Sequence, residues 1–307
     1  MPGNILDAIG NTPIVQLRKL VPPGSADVIV KLEYFNPTGS YKDRMALAMI
    51  DEAEKRGALR PGMCVIEYTG GSTGSSLAMV CAVKGYRFEP ISSDAFAIEK
   101  IRTMQAFCAG VTVLPSEGGK ITPTLFDRFK QEIARRAAEP GTFYTDQLNN
   151  RDTIVGYRKI GEELFRQVGP GISAFCGAVG SGGMLIGVSR ALREGGCRAR
   201  IVALEPAESP VITRGFAGPH SVDGIGVGFW PPILSRDDFD EARAIPEATA
   251  RATARRLAME EGILAGTSTG MNVAAALELA RELGAGATVV TVATDTGLKY
   301  LAGDLYA

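Results

Sequence analysis

The sequence predicts an α/β fold of two three-layer lobes, each built on a mostly parallel sheet. Three observations carry this expectation. Short β-branched runs alternate with amphipathic segments along nearly the whole chain, the pattern of parallel strands covered on both faces by helices. The 307 residues exceed the length at which one hydrophobic core usually stops growing. Glycine-rich loops follow strands and open helices at several points, where open α/β sheets place their ligands.

Taken in order, "DVIVKLE" (27–33) reads as a strand and "KDRMALAMIDEAEKRG" (42–57) as a helix stopped by glycine. "MCVIEY" is a strand and "TGSSLAMVCAVKG" a helix ending at Gly85. "FEPIS" is a strand, and "DAFAIEKIRTMQAFCAG" a helix with Ser93 or Asp94 as its cap. "VTVLP" then precedes a helix within "TPTLFDRFKQEIARRA". The second half repeats the alternation: helix "TIVGYRKIGEELFRQVG", strand "ISAFCGAV", helix "GMLIGVSRALREG" and strand "RIVALEP". A Gly/Pro-rich loop at 215–232 leads to helices around "EATARATARRLAMEEG" and "MNVAAALELARELG", and then to the strand "TVVTVAT". The division expected is a small mobile domain at 45–145 and a large domain formed by 1–44 and 146–307.

Composition narrows the function. Apolar residues make up 45% of the chain and charged residues 22%, with a net charge of −1, so no basic field for nucleic acid is present. The start, "MPGNILDAIG", lacks a signal pattern, and no apolar run approaches a membrane span, so a cytoplasmic protein is expected. Five cysteines without a Cys-x-x-Cys pair fall mostly in apolar runs and read as reduced, buried thiols. His220 is the only histidine, which leaves a multi-histidine metal site nothing to draw on; it reads as a structural or substrate-loop residue.

"NPTGSYKDR" (36–44) delivers Lys42 to the start of a helix, where the helix dipole disfavours a cation by about 0.3–1 kcal/mol. That placement suggests a lysine whose neutral amine is put to use. "VGSGG" (179–183) follows a strand and opens a helix, which makes it a phosphate cradle. It fails as a dinucleotide fingerprint because Leu185 stands where the third glycine belongs, even though Glu205 ends the next strand. "GGKIT", with Lys120, lacks both the upstream glycine and the following Ser/Thr of a nucleotide P-loop. "EYTGGSTG" (67–74) offers hydroxyls and N–H groups suited to a carboxylate. "LAGTSTGMN" (264–272) places Thr267, Ser268 and Thr269 at another helix mouth.

A lysine, a phosphate cradle and a carboxylate loop are together what pyridoxal phosphate carried on a lysine requires. Here the chain resembles the cysteine synthase (O-acetylserine sulfhydrylase) family, close to the catalytic core of cystathionine β-synthase. "IGNTPIVQL", "KLEYFNPTGSYKDR", "TGGST", "GSGGMLIGVSR", "GIGVGFWP", "EGILAGTSTG" and "DTGLKYL" match that family's motifs in its order and span nearly the whole chain. The resemblance implies the tryptophan synthase β-like fold, type II among pyridoxal-phosphate enzymes, with 45–145 carrying the carboxylate loop and the rest binding the cofactor.

It also implies roles. Lys42 would hold the cofactor and move protons. Gly180, Ser181, Gly182 and Gly183, with Met184 next to them, would hold the phosphate, and Thr269 would face the pyridine nitrogen. Thr69, Gly70, Gly71, Ser72, Thr73, Gln147 and Gly226 would surround the substrate, Ser72 standing where an asparagine usually contacts the cofactor's O3′. The implied activity is β-replacement on O-acetylserine or O-phosphoserine by sulfide or another nucleophile. The alternatives are a lyase of the same fold and a paralogue that acts by binding a partner. A homodimer is implied, and the C-terminal tail of serine acetyltransferase is a partner this family can bind. Asp295 is expected to be structural. The family usually has Thr-Ser-Gly-Asn-Thr in the carboxylate loop and a threonine at the position of Met184. The small residues Gly70 and Ser72 are therefore expected to widen the pocket beside the substrate's Cβ, unless Tyr68 or Met184 fills the space.

Overall fold

The computed structural model describes residues 3–107, 110–119 and 122–307; Cys108 and Lys120 lie outside them. Its elements are β1 (Ile14–Gln16), β2 (Asp27–Leu32), α1 (Lys42–Lys55), β3 (Cys64–Tyr68), α2 (Ser72–Lys84), β4 (Arg87–Ser93), α3 (Ile98–Phe107), β5 (Thr112–Leu114), α4 (Pro123–Ala137), β6 (Thr142–Tyr144) and α5 (Asp152–Val168). They continue with β7 (Ala174–Ala178), α6 (Gly183–Glu194), β8 (Arg200–Pro206), α7 (Val211–Arg214), β9 (Glu241–Ile245), α8 (Glu247–Arg256), α9 (Thr267–Leu283) and β10 (Thr288–Ala293). The strands form two sheets, one ordered β1-β2-β10-β7-β8-β9 and the other β5-β4-β3-β6. Every pairing is parallel except that of β1 with β2 at the edge of the larger sheet.

β1, β6 and β9 are additions to the sequence expectation. β1 and β6 are three residues long, too short for a periodicity to register. β9, "EARAI", has one β-branched residue and takes its conformation from pairing with β8. α3 begins at Ile98 rather than after Ser93 or Asp94. The Ser93 hydroxyl accepts from Ala95 N and its carbonyl from Phe96 N, so it caps a separate turn across 93–96.

Apolar side chains gather on both faces of the larger sheet. One cluster, with α8 and α9, includes Val28, Val30, Val289 and Leu257. The other runs from Phe175, Leu185 and Tyr157 through Met45 and Met49 of α1 to Leu77, Val80 and Phe88 beside the smaller sheet. Helix α1 therefore packs into one continuous core that spans both sheets. The smaller sheet's outer face closes under α4 through Ile66, Ile91, Leu125 and Phe129.

Polar anchoring fixes the start of α1. Arg44, in its first turn, is buried and forked between two acids. Its Nε and Nη2 donate to Glu33 at 2.7 and 2.8 Å, and Nη1 and Nη2 donate to Glu163 at 2.7 and 2.8 Å. Lys31 Nζ adds a contact to Glu163 at 2.7 Å. Burial alone would raise the Glu163 pKa, but the hydrogen bonds and charge of Arg44, with Lys31, hold it down at about 2. Lys31 is itself lowered because burial outweighs its partner, so Arg44 is the main counter-charge. Arg44→Met strands two buried carboxylates and is expected to cost about 3–5 kcal/mol in urea unfolding at pH 7. Adding Glu33→Gln and Glu163→Gln to that variant should recover much of the loss.

Candidate active site

The larger sheet sets the site by its order. β2, β10 and β7 are parallel neighbours, so the loops leaving their carboxyl ends share one edge. The loop after β2 is the 36–41 turn. Asn36 is buried and accepts from Gly10 N at 2.8 Å, and Gly39 takes φ +72. Asp43 reaches back to accept from Thr38 N at 2.8 Å and from the Thr38 hydroxyl at 2.5 Å. Across the edge, Tyr41 N donates to Thr294 O, Thr296 N donates to Gly39 O, and Ser40 bridges Asp295. The turn is thus pinned on both sides, and it presents Lys42 as the first residue of α1, with Lys42 N donating to Ser40 Oγ at 3.2 Å.

Lys42 is half-buried, with its Nζ 4.9 Å from the centroid of the Tyr41 ring. Burial lowers its pKa from 10.5 to about 8, against an opposing pull from Asp295. Asp295 is buried, is itself raised by burial, and accepts from the Tyr300 hydroxyl at 2.8 Å. A lysine held this way is a ready source of neutral amine.

The glycine loop after β7 leads directly into α6. Gly182 adopts φ +92, and a Cβ on Gly180 would lie 2.5 Å from the Gly224 carbonyl oxygen, so both positions require glycine. The α6 N-terminus has no acidic residue in its first turn and no side-chain cap. Its first N–H groups lack intrahelical acceptors, apart from a long 3.5 Å contact of Gly183 N with Ser181 Oγ, so the loop is built to take an anion. Met184 is different: its side chain lies in the core, with its methyl 2.6 Å from where a Cβ on Gly177 would be. Only its backbone N–H faces the role expected of it. The "GIGVG" loop packs against this cradle through Gly226 N, which donates to Val179 O. His220 clasps the loop: Val222 N donates to its Nδ1, so Nε2 carries the proton and donates to Gly226 O at 2.9 Å.

In the smaller sheet, β3 and β6 are parallel neighbours, which brings the loop 69–73 beside Gln147. The Thr73 hydroxyl donates to Gln147 Oε1 at 2.7 Å, and Gln147 Nε2 donates to Tyr68 O at 3.2 Å. The Thr69 hydroxyl accepts from Gly71 N and Gly74 N, shaping the loop from within. Glu67 and Thr145, which the sequence did not single out, brace the arrangement. Glu67 accepts from the Thr145 hydroxyl at 2.7 Å and from Gln147 N at 3.0 Å, and burial pushes its pKa up to about 8.

At the mouth of α9 the Thr269 hydroxyl accepts from Thr294 N at 3.0 Å and lies 3.3 Å from the Thr294 hydroxyl. Ser268 Oγ meets that same hydroxyl at 2.6 Å. Both hydroxyls are buried and engaged with Thr294, so Ser268 stands beside Thr269 as a candidate for any contact outside the chain.

The expectation of a wider pocket at Gly70 is corrected. A Cβ on Gly70 would lie 2.9 Å from the Phe96 ring, so this side chain, rather than Tyr68 or Met184, occupies the space. Phe96 is held in a ladder with Phe129, Tyr68 and Tyr144, at centroid separations of 6.3, 5.6 and 6.5 Å. No sequence spacing links residue 96 to residue 70; the turn at 93–96 does.

The chain matches the family described as "Pyridoxal-phosphate dependent enzyme" over residues 5–295. A cysteine synthase of Staphylococcus aureus is 42% identical over 306 residues, covering 99% of this chain and 96% of the relative. Among solved structures, an O-ureido-L-serine synthase superposes with a TM-score of 0.90 at 36% identity, covering 100% of this chain and 95% of that one. A cysteine synthase from Entamoeba histolytica superposes with a TM-score of 0.91 at 33% identity, covering 100% and 91% respectively.

The Phe96 contact has a measurable consequence. Gly70→Ser should destabilise the protein by about 1–3 kcal/mol in urea unfolding, as overpacking does. Combining it with Phe96→Ala should relieve part of that clash, giving a double variant more stable than the sum of the two single effects requires.

Proposed function

Because the chain belongs to the pyridoxal-phosphate dependent enzyme family, we propose that it catalyses β-replacement on an O-activated L-serine with sulfide, giving L-cysteine. The observation that carries this reading is a lysine of lowered pKa, set on a sheet edge that also bears an anion cradle, in a chain 42% identical to a cysteine synthase across nearly its whole length.

The residues present fit pyridoxal 5′-phosphate: the cradle has no room for side chains at Gly180, Gly182 and Gly183 and leaves N–H groups for a phosphate. When bound, the cofactor supplies the electron sink that lets an amino acid lose its α-proton and its β-substituent. Lys42 is the group to anchor it, and the same amine takes and returns the proton at Cα. Thr69, Gly71, Thr73 and Gln147 hold the substrate carboxylate, and Ser72 lies at the start of α2 beside them. A hydroxyl from Ser268 or Thr269 would partner the ring nitrogen, and a neutral partner of this kind would favour elimination and replacement over transamination. Gly226 lines the substrate side of the cradle.

The reading also takes 45–145 to move as a unit against 1–44 and 146–307, expelling water when an amino acid binds. From the family resemblance, the protein acts as a homodimer in the cytoplasm, with a serine acetyltransferase tail as a further partner. Among the described residues no helix is long and apolar enough to cross a membrane.

Holoenzyme given O-acetylserine and sulfide should release L-cysteine. Steady pyruvate and ammonia without a nucleophile would instead make it a lyase, and no reaction with any β-substituted alanine would leave a binding role. Lys42→Ala should lose both the visible absorbance of the bound cofactor and the product. Uptake of pyridoxal phosphate by cofactor-free protein, followed by absorbance, should quicken as pH rises through about 8 and then level off, because the amine loses its proton there. A rate still climbing above pH 10 would show that burial does not lower the Lys42 pKa.

A further inference from the structure

Lys100, in the first turn of α3, is 4% exposed, and none of the roles described above uses it. Its stem lies across the 69–73 loop: a Cβ on Gly71 would stand 2.4 Å from Lys100 Cβ and 2.6 Å from its Cδ. Gly71 itself holds φ +136 at the entry to α2, so the loop turns tightly under that stem. The ammonium leaves the smaller sheet altogether. Nζ is 2.5 Å from Asp223 Oδ2, in the loop that carries Gly226, and 4.9 Å from the centroid of the Tyr300 ring. The Tyr300 hydroxyl donates to Asp295, the residue bridged to Ser40 two positions before Lys42. One side chain thus touches the carboxylate loop, the substrate-side loop and the segment behind the lysine.

A buried ammonium is costly without an opposing charge, and among the described residues its ion pair is with Asp223, outside the smaller sheet. The pair therefore forms where the loop after β3 and the loop before Gly226 are held together, with the Lys100 stem pressing on Gly71 as it does so. We propose that Lys100 is a positioning residue: through Asp223 and Tyr300 it locks the 69–73 loop in the conformation that receives the substrate carboxylate. This rests on the reading of that loop as the carboxylate site.

The test compares holoenzyme carrying Lys100→Met, Asp223→Asn, both together, Lys100→Arg, and Thr73→Ala as a check on the reading itself. Lys100→Met and Asp223→Asn should each raise KM for O-acetylserine by roughly tenfold while kcat and the cofactor's visible spectrum stay close to the parent's. The double variant should be no worse than either single one, because both cut the same link. Lys100→Arg should retain most of the affinity. If Lys100→Met fails to fold, Asp223→Asn carries the test from the accessible end of the pair, where the side chain is 36% exposed. An unchanged KM in the Lys100 and Asp223 variants, with a raised KM in Thr73→Ala, overturns the positioning role and leaves the carboxylate reading standing. An unchanged KM in all three removes both. Effects that multiply in the double variant would show the two side chains acting separately, which also overturns the link.

Discussion

The fork of Arg44 between Glu33 and Glu163 is the interaction on which the site depends. It ties the first turn of α1 to Glu33 just after β2 and to Glu163 of α5, 119 residues further on, with all three side chains buried. Charge-assisted, two-pronged bonds set angle as well as distance. Lys42 lies two residues upstream and has little freedom once Arg44 is seated. The same turn is held from the other side by Ser40 and Tyr41 against the end of β10. A lysine on a loosely held helix end would stay solvated and charged. This one is confined, and burial lowers its pKa.

Around that anchor the two sheets contribute different chemistry. The larger one brings an uncapped helix start behind a loop whose glycines at 180, 182 and 183 admit no side chain, so its donors are mainly backbone N–H groups with fixed directions. The smaller one brings hydroxyl and amide side chains, braced by a buried glutamate. Preorganised donors of this kind need little rearrangement when charge arrives. The sheets share the apolar cluster that runs through α1. Any shift of the 69–73 loop is therefore felt beside Lys42 through packing as well as through the polar links.

Gly70, which departs from the family's serine, and Gly71, which keeps the family's glycine, have a common physical basis. Each glycine lies under a side chain from the 93–100 segment, Phe96 over the first and Lys100 over the second. The space a side chain would take at either position is already filled from above, so the loop is roofed rather than opened. Ser72 has no such counterpart, and nothing in the structure explains its replacement of the usual asparagine.

The sequence by itself determined the alternation of strands and helices, the glycine cradle and the lysine at the helix start as candidates, because these rest on local rules: periodicity, caps, and glycine where φ is positive or backbone must approach; Thr73 and Gln147 came only with the family resemblance. It also carried enough ordered motifs to indicate the family. What only the tertiary structure decided are relations between residues whose separation in the chain carries no signal. Arg44 with Glu163, Phe96 with Gly70, and Lys100 with Asp223 are such pairs. So is the burial of Met184 away from the cradle and the commitment of Thr269 to Thr294. Short β1, β6 and β9 belong to the same class, since a three- to five-residue segment becomes a strand when a neighbour offers its hydrogen bonds. Spacing along the chain specifies which groups stand at the end of an element; it contains no distance between elements, and burial and pairing depend on that distance.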